Sequence, residues 1–86
     1  MKYIRDMKVD ETLFIAIGAV VKVVAEGKSD FFVNRHVQGS SQPGKDLVAL
    51  KRTKSGLTVT VPKAQRNKIR SIHDTTTTGH VPVTLA

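Results

Sequence analysis

Leu57, Val59 and Val61 alternate with Thr58 and Thr60, which predicts a strand with one face packed inward and hydroxyls on the other. Upstream, Thr12–Ile17 and Ala19–Ala25 are rich in Ile and Val and read as two more strands. Gly18 between them predicts a bulge or tight bend. The polar break Glu26-Gly27-Lys28-Ser29-Asp30 is turn chemistry between apolar runs and predicts a hairpin into Phe31–Val37. Residues 38–46 hold two Gly, one Pro and two Ser, the composition of a flexible surface loop. Leu47–Arg52 follows as a short strand, and Thr53–Gly56 as a second turn.

Pro62 suits the first turn of a helix, so the pattern predicts a short basic helix over Lys63–His73, docked by Ile69 and Ile72. Lys63, Arg66 and Arg70 then share its exposed face. Thr75–Thr78 is too β-branched for a helix. Val81, Val83 and Leu85 alternate around Pro82 and Thr84, and Pro82 points to an edge strand or a partner's groove. The expected fold is mainly β, a small antiparallel sheet or barrel of about five strands, with one short C-terminal basic helix and an extended tail. Residues 1–74 form one small domain, and 75–86 a tail that docks or adds as an edge.

Eighty-six residues leave room for one small domain. Four aromatics (Tyr3, Phe14, Phe31, Phe32) and no Trp imply a thin aliphatic core, and such a domain buries only about 60% of its unfolded surface. A second copy or a larger assembly is therefore expected. Zero Cys excludes disulfides and thiolate metal sites. Leu13–Ala25 is shorter than the roughly 20 apolar residues a membrane span needs. Asp6, Asp10 and Glu11 cancel the positive flank of a secretion signal, so a cytoplasmic location is expected.

Net charge is +7, and one stretch supplies it. Residues 45–70 hold Lys45, Lys51, Arg52, Lys54, Lys63, Arg66, Lys68 and Arg70 against Asp46 alone. Such a concentration predicts a binding face for a polyanion. Thr58 and Thr60 supply hydroxyls among the cations, which suits a phosphate backbone. RNA, or another nucleic acid, is the expected partner, with no small-molecule substrate, cofactor or membrane.

Catalytic chemistry is sparse. His73-Asp74 with Ser71 has the residue types of a triad but no nucleophile elbow. His36, His73 and His80 show no H-x₃₋₅-H spacing for zinc. Gly39–Lys45 has a G-x₄-G-K outline, yet Asp46 stands where a phosphate loop needs Ser or Thr. The expectation is a protein that is not an enzyme.

Val9-Asp10-Glu11-Thr12-Leu13-Phe14-Ile15 resembles the V-G-E-T-L-M-I segment of the carbon storage regulators, a family of bacterial RNA-binding proteins. Lys45–Arg52 resembles that family's P-K-E-V-A-V-H-R strand. The likeness spans about residues 2–52. It places Arg52 at an RNA-contacting arginine, Leu50 at its apolar neighbour, and Lys8 at one member of a basic pair. Met7 and Asp10 depart from the family pattern, Gln38–Gly44 is an insertion, and Leu57–Val61 reads as a strand where the family turns helical. The resemblance implies an intertwined β dimer that binds messenger RNA hairpins near the ribosome-binding site and changes translation, with Arg52 and Lys8 meeting from opposite subunits.

Two readings follow. One is a homodimeric, RNA-binding post-transcriptional regulator that uses Lys8 and the eight cations of residues 45–70. The other is a structural component of a virion or ribonucleoprotein, packed through its basic stretch and C-terminal arm.

Overall fold

The alternating segment forms the strand Gly56–Thr60 (β7), paired in register with Leu47–Thr53 (β6) through a tight turn at Lys54-Ser55. The computed structural model describes residues 1–72 and 78–86. The Ser71/His73/Asp74 grouping, the end of the expected helix and Thr75–Thr77 lie wholly or partly outside them. The remaining strands are Lys2–Tyr3 (β1), Thr12–Ala16 (β2), Val20–Ala25 (β3), Lys28–Asn34 (β4), Gln38–Gly39 (β5), Arg70–Ile72 (β8) and His80–Leu85 (β9). Seven of the nine described strands make one curled half-barrel sheet in the order β2-β6-β7-β9-β4-β3-β8, and β1 pairs with β5 apart from it. The protein is mainly β, as its pattern predicts, with more and shorter strands.

The β3–β4 hairpin closes in two residues, Glu26 and Gly27, at φ 53° and 77°. Paired positive φ values are the mark of the tight hairpin turn whose twist matches the strands. Strand β4 therefore starts at Lys28, earlier than Phe31. Gly18 sits in a 3-10 turn, Ile17–Ala19, that redirects the chain from β2 to β3.

The supposed loop at 38–46 is anchored at its start. Gln38 and Gly39 pair with β1, and Ser40 and Phe14 exchange backbone hydrogen bonds of 2.9 and 2.8 Å, bringing this segment onto the edge of β2. Gly39 permits the approach, since a Cβ there would lie 2.7 Å from that of Leu13.

Two expectations about the C-terminal third are corrected. The helix over 63–73 is a 3-10 segment, Lys63–Lys68, followed by buried Ile69 and then β8 paired parallel to β3. A short helix loaded with like charges is weak alone, and burial of Ile69 with strand pairing prevails. The tail is also not an edge: β9 lies between β7 (parallel) and β4 (antiparallel). Pro82 is accommodated there by register. Arg35 N–H donates to Gly79 O, so by alternation the Phe32–Pro82 pair exchanges no hydrogen bond. Its nitrogen faces β7, whose ladder to β9 begins only at Val83.

The inner face buries Leu13, Ile15, Val20, Val33, Val48, Leu50, Leu57, Val59, Val61 and Val83, with Ile4, Met7, Ile17 and Ile69 completing an aliphatic cluster. Phe31 packs against it only partly buried.

A chain ending at Gly79 should show no cooperative urea transition, because β9 joins the two halves of the sheet. Leu50→Ala, at a fully buried position, should lower unfolding free energy by about 2–5 kcal/mol in the same assay.

Candidate nucleic-acid interface

Strand register decides where the nine predicted cations go. Lys51 and Arg52 are neighbours on β6, so their side chains leave opposite faces. Lys51 is exposed on the outer face. Arg52 shares the inward parity of Val48 and Leu50 and is half-buried. Its Nη2 donates to the Ile4 carbonyl at 3.1 Å, while its Nε is buried without a hydrogen-bond partner among the described residues.

Arg66 is similarly engaged, its Nη2 donating to Ala86 O at 3.0 Å and its Nε to Val61 O at 3.4 Å. Two of the predicted arginines thus brace the backbone.

Lys8, Lys45, Lys54, Lys63, Lys68 and Arg70 are exposed. Lys8 precedes β2 and lies near Lys51 and Lys54, because Asp10 N–H donates to Arg52 O and Arg52 N–H to Glu11 O. Those contacts bring Lys8 and Arg52 to one end of the sheet within a single chain. Lys45 and Lys63 flank the opposite end of the β6–β7 pair, with the whole length of β7, about 13 Å at roughly 3.3 Å per residue, between them and Lys54. Arg70 starts β8, five strand positions from β6 in the sheet order. The nine residues form separate groups around the barrel, not one patch.

Among the described residues, the ion pairs are Lys2–Glu11 at 2.8 Å and Arg5–Asp6 at 3.8 Å. Neither involves a cation of residues 45–70. Glu11 also accepts the Lys8 N–H at 2.8 Å, which fixes the turn that presents Lys8. The Lys2 hydrogen bond, then that from Lys8, holds the Glu11 carboxyl below its ordinary value of 4.5. An open pocket of about 230 Å³ beside this pair is lined by Met1, Lys2, Glu11, Leu13, Gly39 and Ser41. Its one carboxylate is already paired with Lys2.

Pairing also assembles an outer surface that linear sequence conceals. Thr12, Lys51, Thr58 and Thr84 form one row across β2, β6, β7 and β9. Phe14, partly exposed and outside the core, lies opposite Ala49, which in turn faces Thr60. A second row runs Pro82, Phe32, Val21, Arg70 across β9, β4, β3 and β8, with Val21 itself buried. Asp30 on β4 is the one carboxylate that shares this parity among the strand residues described.

Sequence reasoning finds no aromatic in the basic half, and misses Phe14 and Phe32 because β2 and β4 lie far away along the chain. The signal for Phe14 is its parity: Leu13 and Ile15 point inward and Phe14 outward.

Arg52→Ala should lower unfolding free energy by about 1–3 kcal/mol, since the Ile4 carbonyl loses a charge-assisted hydrogen bond and keeps only that from Met7 N–H. Lys51→Ala, next to it, should change stability by less than about 0.5 kcal/mol. Glu11's contribution is present above its unfolded value and is lost as pH falls through its lowered folded value. Glu11→Gln should therefore flatten the acid limb of a stability–pH curve below about pH 4.5, measured by urea unfolding at successive pH values.

No family model, curated protein or solved structure matches the chain.

Proposed function

We propose that the protein is a small RNA-binding module that holds a phosphate backbone against the outer surface of its half-barrel and acts as a homodimeric post-transcriptional regulator. One observation carries this reading: the cations of residues 45–70 stand without a carboxylate partner among the described residues, and seven of the eight residues are exposed, Arg52 being the exception. An ordinary soluble surface intersperses both signs, whereas an unneutralised one suits a polyanion whose counterions are released on binding. The threonine hydroxyls beside Lys51 add donors for phosphate oxygens. No described helix has seven or more residues, which disfavours major-groove reading by a recognition helix. Since Arg52 is engaged with Ile4, Lys51 takes the role of outward cation on β6. The small aliphatic core favours pairing of two copies.

A second reading, a packing component of a larger assembly, is favoured by the β3–β4 ribbon. Residues 24–30 of that ribbon extend past the paired ends of β8 and β9, and Val24 at its tip is 57% exposed. A projecting hairpin whose strand edges are unpaired among the described residues suits a neighbouring protein chain.

The test is RNA affinity across a salt series, with solution mass recorded alongside. The regulator reading expects a dimer that prefers some RNA sequences, with log affinity falling linearly against log salt. Lys51→Ala should weaken binding to every RNA alike and reduce that slope by about 0.7 for a single strand. Salt-independent binding, or none, overturns the reading. A large assembly that binds every RNA equally favours the packing component.

A further inference from the structure

The outer surface holds an aromatic ring directly opposite a small residue, with Leu47 and Lys51 on its two diagonals. Phe14 sits on β2 between Thr12 and Ala16 on the same face, opposite Ala49, with Thr60 one strand further. On its other side, β2 meets the backbone of Ser40. Phe14 is absent from both the buried cluster and the side chains packed against it. Hydrophobic burial in the core therefore does not explain the ring. Lys51 stands on the same face, diagonal to Phe14 across the β2–β6 pair, at roughly 7–8 Å between backbone positions. The β6–β7 turn places Lys54 just beyond it.

Such an arrangement suits a ligand with alternating flat apolar rings and anionic groups. Unpaired bases of a nucleic-acid strand meet that description, for a base in a duplex has its faces occupied by its neighbours. Aromatic–base stacking tolerates any sequence, because every base has a π face. We propose that Phe14 is the stacking platform for an unpaired base, with Lys51 on the adjoining phosphate, so that the surface selects single strands over duplexes. This rests on the nucleic-acid reading above and deepens it from backbone attraction to a named ligand class.

The experiment measures affinity for a short oligouridylate, an RNA duplex of equal length and heparin, which is anionic but has no bases. The variants are the wild type, Phe14→Leu and Phe14→Tyr. Phe14→Leu keeps apolar volume and removes the π face, Phe14→Tyr keeps the face, and a thermal melt confirms that each variant is folded.

The expected result is that the wild type prefers the oligouridylate. Phe14→Leu should then weaken that affinity by about tenfold and leave duplex and heparin binding within about twofold, while Phe14→Tyr restores it. Equal loss for all three ligands, or no loss for the oligouridylate, overturns the platform while leaving the electrostatic reading intact. A wild type that binds none of the three overturns both. Should Phe14→Leu fail to fold, Lys51→Ala together with Phe14→Tyr carries the test: a wild type with no single-strand preference overturns the platform by itself.

Discussion

The sheet depends on one strand that arrives last in the chain. β9 lies between β7 and β4, and those pairings are what join the β2-β6-β7 side to the β4-β3-β8 side. Val83 is buried between the two, with Val81 and Leu85 packed against the cluster. A strand in that position must satisfy hydrogen bonds on both edges, yet it contains Pro82. The conflict is resolved by register, which turns the missing N–H toward a side where pairing has not yet begun. A shift of one residue would direct it at β4 and also expose Val83.

The same alternation sorts the charges. Along β6, Val48, Leu50 and Arg52 face inward while Ala49 and Lys51 face outward. Position within a basic run therefore says little about availability. Arg52 and Arg66 reach backbone carbonyls, a use suited to the planar, multi-donor guanidinium. The lysines of the same run have no such geometry and stay hydrated at turns and on the outer face. What remains for a ligand is a ring of dispersed cations with threonines and two aromatics between them. That pattern favours a flexible polyanion wrapped over the surface above a compact anion held at one point.

The sequence made local strands readable and non-local placement opaque. β2, β6 and β7 are long enough for β-branched runs or period-two patterns to declare them, and Glu26-Gly27 supplies its own turn chemistry. β1 and β5 have two residues each, too few for any period. Ile69 and Ile72 are spaced as on a helix ridge, but the same spacing fits an inward residue followed by a short strand. Pairing with β3 settles the choice, and no local signal reports it. Pro82 points to an edge only while the register that aims its nitrogen is unknown. Phe14 was hidden inside Thr12–Ile17, where an apolar ring among apolar neighbours gives no contrast. Its nearness to Lys51 follows only from the β2–β6 pairing across 31 to 39 residues of chain.

The most direct test of the outer surface as the binding face is an amide chemical-shift map of the protein titrated with an unstructured RNA strand. The largest amide changes should fall at Thr12, Phe14, Lys51 and Thr58, and a companion methyl map should leave the inward-facing Leu13 and Leu50 side chains nearly still. Changes confined to Lys63–Lys68, or none at saturating RNA, would contradict the account.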